Sequence, residues 1–246
     1  MFKAILRTYR SAGAFAMACP LLFFVPVLPE LAQHIAEYRM GLFSSFAHFQ
    51  ADATTDTRMV FGTIKVLVLL LPRYWVARFA WWGDGARAGR WESAAVRAYV
   101  AVFLYSAVVN LGALWIPQLI SGRAGTISGL ASLPLLLVLD ILLAQWIARA
   151  PLGDGSASIG SSLRLIAPDF LWALGFSLLA TLPVMAGHYA LNFLALGKPP
   201  AMTGLVLAAD SIFVGYLVAI LCIIPVTITR HAEARRERRR ARQRID

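Results

Sequence analysis

The chain has 246 residues, of which 59% are hydrophobic and only 15% charged, and its formal net charge is +10. A soluble domain carries about 25% charged residues, so this composition excludes an ordinary water-soluble fold. The positive charge alone does not indicate nucleic acid as a partner, since no basic stripe is interleaved with stacking aromatic side chains.

Six apolar stretches follow one another along the chain, each long enough to cross a bilayer as a helix of about 20 residues. They cover residues 11–29, 59–80, 97–120, 130–149, 168–195 and 204–229. We therefore predict an all-α fold, a polytopic membrane bundle of six transmembrane helices in three tandem hairpins. This membrane domain occupies 1–229, and an arginine-rich tail follows over 230–246.

The first span and the connection after it contain the main irregularities. Three prolines (Pro20, Pro26 and Pro29) are expected to kink or end the first helix, because each removes a backbone donor. The connection 30–58 begins with an amphipathic pattern that predicts a helix lying in the outer interface, with its apolar and aromatic side buried in lipid. A polar turn is expected over 50–56 before the second span.

The distribution of cations predicts the orientation of the chain. Eighteen Lys and Arg residues fall at the termini and in alternate connections, four fall on the opposite side, and Lys65 lies within a span. Because cytoplasmic loops retain cations, both termini are predicted to be cytoplasmic. The excess of Arg over Lys and the high Ala content are typical of a GC-rich bacterial genome, so we expect a bacterial inner membrane.

Two inner ends share a short pattern. Trp75-Val-Ala-Arg78 precedes Gly83-Asp-Gly85, and Trp146-Ile-Ala-Arg149 precedes Gly153-Asp-Gly155. Repeated hairpins explain this similarity. Convergence also explains it, because interfacial aromatic residues and cations are common at the ends of spans.

Polar residues inside the spans form the candidate intramembrane site: Lys65, Asn110, Asp140 and Asp210. Ionisable groups at this depth are costly and are functional candidates by default. They indicate either an ion or solute pathway or interhelical contacts that hold the bundle together. Lys65 and Asp210 lie at matching depths near the outer ends of their spans, so we predict that they pair.

No arrangement of residues indicates catalysis, a metal or a cofactor. His34, His48, His188 and His231 lie on different segments without the spacing of metal ligands, and we expect them at the membrane interfaces. The loop 83–90 has Asp-Gly and Ala-Arg elements found in CDP-alcohol phosphatidyltransferases, but it lacks the paired carboxylates that their metals need. The chain is predicted not to be an enzyme.

The segment from Gly153 to Trp172, Gly-Asp-Gly-Ser-Ala-Ser-Ile-Gly-Ser-Ser-Leu-Arg-Leu-Ile-Ala-Pro-Asp-Phe-Leu-Trp, resembles the inner hairpin of uncharacterised six-helix bacterial membrane families. These include the membrane domain found in some glycerophosphodiester phosphodiesterases. The resemblance covers about 145–230 and implies a six-helix membrane fold, and since the soluble catalytic domain of those phosphodiesterases is absent, it carries over no activity.

The predicted function is that of a non-enzymatic membrane protein that binds or stabilises membrane partners or lipids. The tail carries the residues expected to face anionic headgroups or a protein partner: Arg235, Arg236, Arg238, Arg239 and Arg240. The alternative is a small transporter or channel-like protein that uses Lys65, Asp140 and Asp210.

Overall fold

The computed structural model describes residues 1–51, 56–120 and 122–243, with the side chains of 49–51 left aside. Within these ranges the regular elements are all helical, as predicted. Short 3-10 turns, Ala150–Leu152 and Ala167–Asp169, connect some of the α-helices. The α-helices are α1 Phe2–Ala18, α2 Pro20–Arg39, α3 Phe46–Ala51, α4 Asp56–Leu70, α5 Pro72–Trp82, α6 Gly85–Ala88, α7 Ser93–Leu119, α8 Gly122–Leu142, α9 Ala144–Arg149, α10 Ile159–Ile166, α11 Phe170–Ala195 and α12 Pro200–Gln243.

Five of the described helical segments are long and apolar enough to cross a membrane, and the number is six if the bent pair α1 and α2 forms one span. Two of the five combine neighbouring helices, α4 with α5 and α10 with α11, and the other three are α7, α8 and α12. The predicted fold class is thus confirmed as a helical protein with several membrane-length helices.

The predicted span 11–29 is not one straight helix. The chain bends by 99° between α1 and α2. Cys19, at the bend, has φ −132° and ψ 56°, outside the helical region. The residue before a proline is pushed out of the α conformation, and Pro20 then starts α2 at a position where its missing N–H costs little. Pro26 and Pro29 lie inside α2 and do not end it.

Other helix boundaries also differ from the expected ones. The connection expected before residue 130 is helical, because α8 begins at Gly122, whose φ of +69° turns the chain. At the end of the chain, α12 continues through the arginine-rich segment as far as Gln243. The polar turn predicted over 50–56 falls largely on 52–55, outside the described residues.

Helix α12 lies at the centre of the bundle. It packs against α1, α2, α5, α9 and α11, and 72% of its most apolar window is buried. By contrast, only 11% of the corresponding window of α8 is buried, so α8 lies at the periphery.

Close packing of α2 on α12 depends on Gly215. A Cβ at this position would lie 2.6 Å from Val27 Cγ2 and 3.0 Å from the Phe23 ring. Next to this contact, the second half of α2, which carries Glu30, His34 and Glu37, lies against the N-terminal part of α12, which carries Asp210.

Candidate functional site

Ionisable side chains and one amide, from four helices, meet at the end of the bundle opposite the arginine-rich segment. We call them the acid–histidine cluster. Its members are Glu30, His34 and Glu37 on α2, Arg58 and Lys65 on α4, His188 and Asn192 on α11, and Asp210 on α12.

Asp210 is at the centre of the cluster and its side chain is completely buried. Its Oδ1 lies 2.9 Å from His188 Nδ1, and its Oδ2 lies 2.9 Å from His34 Nε2. Asn192 Nδ2 also donates to Oδ2, at 2.9 Å. Each of these contacts comes from another helix, so the carboxylate joins α2, α11 and α12.

Glu30, also buried, connects the cluster to α4. Its Oε2 lies 2.6 Å from Lys65 Nζ, and its Oε1 lies 3.4 Å from His34 Nε2. His34 Nε2 is therefore close to two carboxylates, those of Glu30 and Asp210.

Glu37 holds the other ring nitrogen of His34. His34 Nδ1 lies 3.3 Å from Glu37 Oε2, while Gln33 Nε2 and Arg58 Nε donate to Glu37 Oε1 at 2.7 and 2.8 Å. With both sides of the ring engaged by carboxylates, the orientation of the imidazole is set by the protein.

The predicted pair of Lys65 and Asp210 is wrong, although both residues belong to the cluster. Lys65 pairs with Glu30, and Asp210 takes its hydrogen bonds from His34, His188 and Asn192. The two residues do lie at the same end of the bundle, as their matching depths indicated. Depth alone, however, could not show that the partner of Lys65 is Glu30 on α2.

His34 was predicted to lie at a membrane interface, and in the structure its side chain is buried among other helices of the protein. The spacing of Glu30, His34 and Glu37, at i, i+4 and i+7, places them on one face of a helix. That polar stripe was the sequence signal that could have indicated a buried cluster. The other side of the helix carries the apolar residues that were expected to face lipid, and Ile35 on that side is exposed.

A second polar site lies between the bundle centre and its arginine-rich end. Arg73 donates to Asp140 Oδ2 at 3.3 Å and to Ser106 Oγ at 3.2 Å. Asn110 and Asp140 line the same cavity of about 220 Å³ as Arg73. The structure thus brings Asn110 and Asp140 together, separately from Lys65 and Asp210.

Arg78, one of the eighteen cations counted on the cytoplasmic side, is fully buried. Its guanidinium donates to three backbone carbonyls, those of Arg87, Ala88 and Pro151, and to Glu92 Oε1 at 2.6 Å. The hydrogen bond from Arg78 lowers the pKa of Glu92. The contribution of this pair to stability is therefore present above the ordinary carboxyl pKa and is lost as the pH falls through the lowered value.

The two copies of the Trp-x-Ala-Arg pattern share a local conformation. Gly83 and Gly153, five and four residues after the arginines, have φ of +71° and +76°, a region that favours glycine. Arg149 and Arg230 both lie over the ring of Trp81, at 4.3 and 4.7 Å from its centroid. These contacts connect α5, α9 and α12. Both repetition and convergence explain them.

At the arginine-rich end, α12 and the segment around α10 enclose a cavity of about 480 Å³ that we call the basic groove. Arg235 is fixed on its wall, where it pairs with Asp169 and donates to the Pro168 carbonyl at 3.1 Å. The other arginines that line it are Arg164, Arg236 and Arg239. Arg238 and Arg240, predicted to face the same ligands, are exposed and do not line the groove.

No protein-family model, curated protein or solved structure matches the chain. The function of the chain is therefore inferred from its polar sites.

Proposed function

We propose that this chain is a non-enzymatic membrane protein that binds the phosphate of anionic lipid headgroups in the basic groove. The groove carries the proposal because it combines a concave shape with four arginines and one acid, Asp169, which Arg235 already pairs. Guanidinium groups bind phosphate through paired charge-assisted hydrogen bonds. Basic pockets beside membrane helices are a recurring form of headgroup site.

The shape of the groove separates this proposal from simple attraction between a cationic tail and a membrane. Arg164 comes from α10, whereas Arg236 and Arg239 come from α12. A bound phosphate would therefore be held between two elements. An unstructured cationic tail would supply only diffuse attraction, about 1 kcal/mol for each residue near the surface.

Removal of three groove arginines is expected to weaken binding of a short-chain anionic phospholipid by at least tenfold. The variant Arg164→Gln/Arg236→Gln/Arg239→Gln loses charge-assisted hydrogen bonds of about 1.5–3 kcal/mol each. The detergent-solubilised protein is titrated with short-chain phosphatidylglycerol, and the bound lipid is measured by native mass spectrometry.

The matched control is Arg238→Gln/Arg240→Gln/Arg242→Gln, which removes the same charge from exposed positions on the same helix. Equal losses in the two triple variants would show diffuse attraction and contradict a groove. Phosphatidylcholine and inorganic phosphate are titrated in parallel. Binding of inorganic phosphate as tight as that of the lipid would identify a site for free phosphate.

We also propose that the chain crosses a bacterial inner membrane six times, in three tandem hairpins, with both termini cytoplasmic. Contacts of α2 with α4, α7 with α8, and α11 with α12 support the hairpins. The bias of eighteen cations against four supports the orientation. The resemblance of Gly153–Trp172 to six-helix bacterial membrane families agrees with this arrangement. A membrane-protein partner is also part of the proposed function.

Topology reporters are expected to give opposite signals at two positions. A reporter that is active only outside the cytoplasm should be silent after Asp246 and active when inserted within 50–57, because the predicted orientation places these points on opposite sides. Colony assays with both fusions provide the measurement. A cytoplasm-active reporter at the same two positions is the control, and an active C-terminal fusion with a silent loop fusion would overturn the topology.

A small transporter or channel-like protein is the second candidate. It is supported by the cavity beside Asp140 and by the burial of ionisable groups around Lys65 and Asp210. The residues that line this cavity and the members of the acid–histidine cluster do not overlap. The polar groups of this candidate are therefore divided between two sites, whereas the arginines of the basic groove line one cavity.

A further inference from the structure

We propose that the acid–histidine cluster is a binding site for a divalent transition-metal ion of the zinc type, with Glu30, His188 and Asp210 as ligands and His34 as the fourth. The first three residues each offer one ligand atom, and these atoms lie within 4.8 Å of one another. They come from three helices, α2, α11 and α12, so the site belongs to the packed bundle and not to one flexible segment.

The contacts of Asp210 and His34 are close to the ligand spacing of a small tetrahedral ion. Ligand atoms bound to zinc at about 2.0–2.2 Å are separated from each other by roughly 3.3 Å. His34 Nε2 already lies 2.9 Å from Asp210 Oδ2 and 3.4 Å from Glu30 Oε1, and His188 Nδ1 lies 2.9 Å from Asp210 Oδ1. A bound ion would replace these direct contacts, and the two pairs at 2.9 Å would open to the ligand spacing of about 3.3 Å.

The chemistry of the donors selects the class of ion. Two imidazoles and two carboxylates suit zinc and its first-row neighbours, whereas calcium and magnesium prefer sites made of oxygen alone. Lys65 contacts Glu30 Oε2, which leaves Glu30 Oε1 on the side of His34.

The independent support comes from the groups behind the ligands. A metal-binding histidine usually donates its other ring N–H to a carboxylate, which fixes the tautomer and orients the ring. Glu37 stands in this position behind His34, with its Oε2 3.3 Å from His34 Nδ1. Glu37 is in turn held by Gln33 and Arg58, and Asn192 donates to the ligand Asp210. An ion pair alone does not need these surrounding contacts. Glu37 therefore acts as a positioning residue for the imidazole of His34.

The test uses full-length protein in mild detergent, stripped with a chelator and then equilibrated with Zn²⁺ or Co²⁺. We expect one equivalent of metal per chain by elemental mass spectrometry and a rise in Tm on addition of Zn²⁺. Co²⁺ should give visible d–d bands without a thiolate charge-transfer band, since Cys19 and Cys222 are not ligands. A chain that retains no metal after equilibration would overturn the site.

Variants then locate the metal. His188→Gln should weaken Zn²⁺ binding by at least tenfold. Glu37→Gln, which changes only the residue that orients His34, should weaken it by about 10–100-fold. His48→Gln is the control, because this exposed histidine bonds only to nearby serines in the described part of the chain. If His188→Gln does not fold, Glu37→Gln and the Co²⁺ spectrum of the unaltered protein decide. Binding by Glu37→Gln equal to that of the unaltered protein, or a thiolate band, would contradict the assignment.

Discussion

Replacement of Asp210 by Asn is expected to cost about 3 kcal/mol or more of the free energy of unfolding, even with metal excluded by a chelator. The substitution keeps the shape of the side chain but removes the charge and turns one acceptor oxygen into a donor. That donor would face His34, His188 or Asn192, which now all contact the carboxylate. Breaking a buried ionic contact by removing one partner costs about 3–5 kcal/mol. The measurement is unfolding in mixed micelles by titration with SDS.

Asp56→Asn provides the control for this experiment. Asp56 is exposed at the start of α4, and Asn is also favourable at the beginning of a helix, so its change should stay within about 0.5 kcal/mol. A loss below about 1 kcal/mol for Asp210→Asn would mean that water or a rearranged side chain satisfies the cluster. Asp210 would then no longer join α2, α11 and α12.

The membrane-length helices were largely predictable from the sequence because the length of an apolar run is a local property. The predicted span 59–80 lies within the observed Asp56–Trp82, and 204–229 lies within Pro200–Gln243. The break at Cys19 was indicated by Pro20, but its angle depends on how α1 and α2 pack against α12. Hydropathy also missed the early start of α8 at Gly122. The first residues of this helix are small or polar, so they are compatible with a helix but do not extend the apolar run.

The sites were less predictable, because the partners of a buried charge lie on other helices. Lys65 and Asp210 were recognised as unusual, but nothing local shows that Glu30 lies beside Lys65. Arg73 and Arg78 show a further limit of the sequence. Both were counted among the cytoplasmic cations, and both are buried with acid or carbonyl partners that the count does not reveal. The positive-inside pattern identifies a side of the membrane and does not reveal which arginines are structural.

Arg78→Lys is expected to destabilise the protein by about 3 kcal/mol or more, although it preserves the charge. The Arg78 guanidinium donates to the carbonyls of Arg87, Ala88 and Pro151 and to Glu92. A lysine has three donors on one nitrogen and cannot reproduce this planar set. The Arg87 carbonyl also accepts from the Arg90 N–H, so the loss comes mainly from the carbonyls of Ala88 and Pro151, and each buried acceptor left without a partner costs about 1–3 kcal/mol. The same SDS titration, followed by tryptophan fluorescence, measures the loss.

Two further variants separate geometry from charge at this position. Arg90→Lys is the matched control, since Arg90 is exposed in the same loop and its replacement should change stability by less than about 0.5 kcal/mol. Glu92→Gln should cost much less than Arg78→Lys, because Glu92 is 47% exposed and its pairing is screened by solvent. Because three of the four acceptors are backbone carbonyls, the guanidinium primarily fixes the path of the chain through α6 and the turn at Pro151. If Arg78→Lys and Glu92→Gln instead cost the same, the salt bridge would be the main contribution and the carbonyl contacts would be secondary.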